Sequence, residues 1–310
     1  MPAPIVLFVY NRPWHTKQTL ESLSKNDLAS ESELFIYADG PKANASNEVI
    51  GRINEVRKMI REKNWCKAVH IFESESNRTL PVILLEKVTE IINKFGKVIV
   101  LEDDLLLTAG FLKYMNEALD LYEEEGKVMH VSGYMYPVRY KMPEIFFLRI
   151  PSCWGWGTWK RAWDQFDLSA ERLLSAISKQ EVTEFDFGYY PFYEALQRCA
   201  KGPWRSWDIR WYASVFVNGG LCLHPGRSLV QNIGFDGSGV HCDESKVYYN
   251  RQLADGVNVS QISIERSSVA NEALVSFFKK LHFGGSQAVH ELKHLSRKIL
   301  RIFTVNSDLD

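Results

Sequence analysis

The sequence predicts an α/β fold: a mostly parallel, Rossmann-like sheet flanked by helices, with a C-terminal helical extension. Three observations predict it. Short apolar runs alternate with longer stretches of helical period through the first third of the chain. The runs are apolar throughout, as in strands covered on both faces. Each run ends in polar or acidic residues, at the sheet edge where such folds bind ligands.

"PIVLFVY" opens the chain as a strand and leads into Asn11, Arg12 and Pro13. Pro13 suits a first helical turn, where its missing N–H has no partner to lose. "PWHTKQTLESLSKN" then has helical spacing. "LFIYAD" is a second strand closed by the turn signal "DGPK", and "NEVIGRINEVRKMIREKN" is a helix. "AVHIFES" is a strand, "PVILLEKVTEIINKF" a helix opened by Pro81, and "KVIVLED" a fourth strand. Beyond Asp104, "TAGFLKYMNEALDLYEEEG" is expected to be helical, with Thr108 as N-cap and Gly126 as stop. "KVMHVSG" and "EIFFLRI" look like strands and "WDIRWYASVFVNGG" like a helix. "LCLHPGRSLVQNIGFDGSG" reads as a strand running into a glycine-rich loop. The expected organisation is one unit over residues 1–250, in halves 1–107 and 108–250, and an extension over 251–310. That extension ends in an amphipathic helix with a basic face.

At 310 residues the chain suits one large domain with an appendage, or two modest ones. A formal net charge of −1 argues against bulk nucleic-acid binding. The five cysteines are scattered without a CxxC pair, which disfavours a zinc site or disulfide scaffold and fits a reducing compartment. The N-terminus lacks a basic stretch before its apolar run and reads as a strand, not a signal peptide. No run approaches the roughly 20 apolar residues that span a membrane.

Five features carry chemistry. Glu102, Asp103 and Asp104 follow the fourth strand. Adjacent carboxylates repel, and a hard cation such as Mn²⁺ or Mg²⁺ would relieve that; a polar strand end is the plainer reading. Arg12 and Asp39 follow the first two strands, placed to hold a phosphate, base or ribose, or simply to make turns. Trp154, Trp156, Trp159 and Trp163 fall within ten residues. The Gly-Trp-Gly segment with Trp156 is expected to line a pocket, and Trp159 and Trp163 to be core. Asp208 lies between Trp207 and Trp211, where apolar neighbours would make it a better base; an N-cap or ion pair is the alternative. The loop "NIGFDGSGVH" holds Gly234, Gly237 and Gly239 and ends on His241, a candidate contact to phosphate or metal.

The order of these pieces resembles an inverting GT-A glycosyltransferase, most of all the N-acetylglucosaminyltransferase I type and its bacterial relatives. The resemblance covers residues 4–242 and rests on "NRP", "ADG", "VLEDDLLLTAGFLKYM", "CWGWGTWKRAW", "SWDIRW" and "GRSLVQNIGFDGSGVH". It implies that Asp104 binds Mn²⁺ or Mg²⁺ on the donor's diphosphate, that Asp103 meets the ribose and that Glu102 lies near the donor sugar. Arg12 and Asp39 match uridine-binding positions, and Asp208 matches the catalytic base. The loop with Gly237, Ser238 and His241 matches one that orders over bound donor. Ile209 stands where animal members have a second acid, and their uridine-contacting histidine has no match beyond the nearby Arg78. The implied reaction moves a sugar, GlcNAc by resemblance, from a UDP-sugar to a glycan or glycolipid hydroxyl in bacterial surface polysaccharide synthesis. The implied location is cytoplasmic, at the inner face of the membrane if the C-terminal helix binds anionic lipid; docking on its own domain is the alternative for that helix. A sugar nucleotidyltransferase would also use a parallel sheet, acids and metal, but no glycine-rich, lysine-bearing loop follows the first strand. A non-catalytic carbohydrate-binding protein would use the tryptophans and leave the acids without a role.

Overall fold

The computed structural model describes residues 1–202, 206–237 and 246–283. The first half alternates as β1 (Ile5–Val9), α1 (Pro13–Ser24), β2 (Glu33–Ala38), α2 (Asn47–Met59), β3 (Ala68–Glu73), α3 (Leu80–Phe95) and β4 (Lys97–Glu102). There follow β5 (Leu105–Leu107), α4 (Phe111–Leu121), β6 (Val128–Ser132), β7 (Ile145–Leu148), β8 (Trp156–Trp159) and α5 (Lys160–Trp163). Helices α6 (Ala170–Ala176), α7 (Val182–Phe185), α8 (Phe192–Lys201) and α9 (Trp207–Val217) precede β9 (Leu221–Pro225) and β10 (Val230–Asn232). The last described helix is α10 (Ser268–Phe283).

The main sheet has the order β3-β2-β1-β4-β8-β6-β9-β7. Its pairings are parallel from β3 to β4 and between β6 and β9, and antiparallel at β8 and β7. The fold is thus α/β with a mostly parallel sheet. Alternate residues of the central strands face opposite layers, as the period of two requires. Ile5, Leu7, Val9, Leu34, Ile36, Ile99 and Leu101 share one core with residues of α1 and α4. Val6, Phe8, Phe35, Val98 and Val100 share another with α3 and the indoles of Trp156, Trp163, Trp207 and Trp211. A third core joins α6, α8, α9 and α10 to β7.

Several expectations need correcting. Gly110, not Thr108, is the N-cap of α4, and the helix stops at Leu121 well before Gly126. Strand β8 falls in the tryptophan-rich segment, where periodicity gave no strand signal; Gly157 permits its close approach to β4, since a Cβ there would meet Val98 O at 3.1 Å. The pairing of β5 with β10 is likewise announced by no local pattern. The basic C-terminal helix lies outside the described residues, as do Ser238 and His241. No helix among the described residues is long and apolar enough to cross a membrane, and Cys66, Cys153, Cys199 and Cys222 are all free.

Candidate active site

Chain order reverses between β1 and β4: β2 and β3 lie to one side of β1, and β4 to the other. At such a switch point the loops beyond the two strand ends part and leave a crevice. Arg12 lies just past β1, and Glu102, Asp103 and Asp104 close β4. The sheet therefore brings the cation and the three acids to one place.

Local contacts fix the acids. Thr19 of α1 donates its hydroxyl to Asp103 O at 2.9 Å and accepts from Leu105 N at 3.1 Å. Tyr10 N donates to Asp103 Oδ2 at 3.3 Å. Arg12 Nη1 donates to Asp104 Oδ2 at 2.8 Å. The β5–β10 ribbon then draws the following loop over the same spot, with Ile233 N donating to Asp104 O at 2.9 Å. There Arg12 Nη2 lies 3.6 Å from Asp236 Oδ1, and His15 Nε2 lies 3.0 Å from Asp236 Oδ2.

Electrostatically the acids are under-compensated. Burial, then the charges of Asp104, Asp103 and Asp208, pushes Glu102 well above the usual carboxylate range. Burial and the Asp104 charge push Asp103 up to about 7. Asp104 is also raised by burial, against the pull of Arg12. Burial, then Arg12, lowers His15.

Asp208 lies exposed in the first turn of α9 and accepts a hydrogen bond from Ser206 Oγ. Its charge reaches Glu102 and also raises Tyr136, Cys153 and Tyr190, each shifted mainly by burial. Tyr136 and Tyr190 both pack on Phe278 of α10. Tyr190 and Tyr248 are hydrogen-bonded to each other there. Trp154, half-buried, packs edge-on against Tyr134, Phe235 and Tyr248.

Asp39 and Arg78 meet at the end of β2, the neighbour of β1. Asp39 is buried; its Oδ1 accepts from Gly40 N and Arg78 N at 2.9 Å each, and its Oδ2 from Asn77 Nδ2 at 2.8 Å. The carboxylate thus pins the loop before α3 against the end of β2. The Arg78 guanidinium pairs with Glu86 on α3. Gly237 adopts φ 82° in the loop after β10, a left-handed conformation that favours glycine.

Trp156 requires a correction. It was expected to line the pocket, but its side chain is 0% exposed and stacks inside the core on Trp207 and His130. Alternation along β8 points Trp156 into the layer beneath the crevice. Of the two indoles flanking Gly155, Trp154 is the half-buried one. Sequence reasoning also missed His15 and Asp236. His15 lies in the first turn of α1, three residues after the Arg12 N-cap; Asp236 is the acid within a loop read for its glycines and His241.

Among the described residues no group of three His, Cys, Asp or Glu side chains is arranged to hold a metal alone. A hard divalent cation needs less than that, because Mg²⁺-type sites often use one or two carboxylates and complete their shell with ligand phosphates and water. Oxygen donors whose protons are held too tightly for lack of positive charge fit such a cation.

No family model and no curated protein matches the chain. Among solved structures it is similar to S. aureus TarS 1-349, at 12% sequence identity and TM-score 0.36, over 74% of this chain and 60% of that one. It is also similar to S. aureus TarS, at 12% identity and TM-score 0.35, over 99% of this chain and 44% of that one. A third is mouse xyloside xylosyltransferase 1, apo form, at 11% identity and TM-score 0.34, over 70% and 81% of the two chains. The chain thus spans less than two thirds of the length of the first two.

Proposed function

We propose that this chain is an inverting GT-A glycosyltransferase that moves a sugar from a UDP-sugar to a hydroxyl of a glycan or glycolipid. The observation that carries this reading is the convergence of Arg12, Glu102, Asp103 and Asp104 at the switch point of the sheet, within electrostatic range of Asp208. Donor and acceptor chemistry need the two sides of one crevice, and the residues on each side suit their part.

On the donor side, Arg12 carries the fixed positive charge among the acids and suits the diphosphate, where a guanidinium makes paired hydrogen bonds. Asp104, with Glu102 or Asp103 beside it, would hold Mn²⁺ or Mg²⁺. Such an ion stabilises the negative charge that gathers on the departing UDP. Glu102, which feels the Asp208 charge, would border the transferred sugar.

On the acceptor side, Asp208 takes the proton of the attacking hydroxyl. Exposure at the first turn of α9 leaves the carboxylate in reach of an incoming group. The hydroxyl oxygen bonds to the anomeric carbon from the face opposite the diphosphate, which inverts that centre as the bond to UDP breaks. General-base help of this kind is worth about 10²–10⁴ in rate. Tyr136, Tyr190 and Trp154, each partly exposed, would offer the aromatic faces and hydroxyls that sugars pack against.

The reading is tested with a panel of nucleotide sugars and Mn²⁺, measuring UDP release in the presence of glycan acceptors. Asp208→Asn is expected to bind UDP with unchanged affinity and to transfer sugar about 10²–10⁴-fold more slowly. Transfer at the parental rate by that variant would remove Asp208 from the chemistry.

A further inference from the structure

Trp156 has no part in the reaction above, yet it packs between β4 and the start of α9. In β8 it pairs with Val100 of β4, two residues before Glu102, and with Ser132 of β6. Its indole stacks on Trp207 with ring centroids 5.4 Å apart and planes 25° from parallel. Trp207 is the first residue of α9 and immediately precedes Asp208. His130 also stacks on Trp156, at 5.3 Å and 14°. Its Nδ1 accepts from Trp211 Nε1 at 3.2 Å, and its Nε2 faces Ser152 O at 3.0 Å. A carbonyl only accepts, so Nε2 carries the proton and Nδ1 is the acceptor the Trp211 indole needs. The first turn of α9 is therefore held to the sheet at Trp207 and Trp211, on either side of Asp208.

One detail shows that packing alone does not account for an indole here. Trp156 Nε1 is buried with no hydrogen-bond partner among the described residues. An unpaired buried N–H disfavours the fold, and phenylalanine would avoid it. What phenylalanine lacks is the reach of the second ring toward Trp207.

We infer that Trp156 is a positioning residue that fixes Asp208 relative to the acid end of β4. The inference rests on the proposed function, in which Asp208 is the base. A shift of about 1 Å in a reacting group can cost about 10² in rate. An α9 free to settle toward a smaller ring would move by that order.

The test is a double-mutant cycle with Trp156→Phe and Asp208→Asn. Trp156→Phe is expected to lower kcat about 10²-fold, with the donor KM, UDP affinity and thermal midpoint retained. Added to Asp208→Asn, it should lower the residual rate no further, because its effect runs through the base. Equal losses in both backgrounds, a fall in UDP affinity, or an unchanged kcat would each overturn the inference and leave Trp156 as packing. Should Trp156→Phe fail to fold, Trp207→Phe removes the same contact from the other side and is read by the same outcomes. Failure of the functional reading shows separately, as an Asp208→Asn variant that transfers sugar at the parental rate.

Discussion

The Arg12 guanidinium lies 2.8 Å from Asp104 Oδ2 and 3.6 Å from Asp236 Oδ1, so one side chain links the ends of β1 and β4 to the loop after β10. Hydrogen bonds to charged groups are worth about 1.5–3 kcal/mol, or roughly ten- to a hundredfold in affinity. Arg12→Gln keeps a donor but loses the charge. UDP binding measured by calorimetry should weaken by that factor in the presence of Mn²⁺. An unchanged affinity would mean that the diphosphate sits away from Arg12.

Raised carboxyl groups make the metal-free fold less stable as pH increases. Burial first, and the Asp104 charge second, moves Asp103 from an ordinary value of 3.8 up to about 7. The folded state then binds the proton more tightly than the unfolded state, so this contribution is full below the unfolded value and is lost as pH rises through the folded one. The thermal midpoint should therefore fall between about pH 4 and about pH 7 through this group, and Asp103→Asn should flatten the decline. A parent and variant with parallel pH profiles would show that Asp103 ionises normally.

Much of this geometry was legible in the sequence, and the exceptions have physical causes. Strands buried on both faces leave uninterrupted apolar runs, so β1, β2 and β4 and the acids at the end of β4 could be read directly. Trp156 could not, because alternation in β8 decides which indoles face inward, and a four-residue strand rich in tryptophan and glycine has no visible period. Asp39 could be read as a polar end to β2, but its hydrogen bonds to Asn77 and Arg78 come from a loop far along the chain that no local pattern announces. The His15–Asp236 contact depends on the β5–β10 ribbon, whose pairing is equally non-local.

Cation binding should be visible without turnover. A ligand that binds only the native state raises the thermal midpoint by mass action, about 2.7 kcal/mol at a hundred times Kd. Mn²⁺ with UDP should raise the midpoint more than UDP with a chelator, and Asp104→Ala should erase the difference. If the Asp104→Ala protein still gains the full Mn²⁺-dependent shift, the cation is held elsewhere.

Gly234 offers the finest probe of the crevice. A Cβ at this position would lie 2.1 Å from Asp104 Oδ2 and 3.0 Å from Arg12 Nη1. Both are ends of side chains, so Gly234→Ala can be accommodated by turning the Asp104 carboxylate away, at small cost to the fold. The displaced carboxylate then loses Arg12 and the orientation a cation needs. The expected result is a thermal midpoint within a few degrees of the parent, with a weakened Mn²⁺-dependent UDP affinity and slowed transfer. Backbone hydrogen bonding from Ile233 N to Asp104 O, 2.9 Å long, should keep the loop in place while the side chain moves. A Gly234→Ala protein with parental UDP affinity would show that the loop already stands clear of the carboxylate when the donor binds.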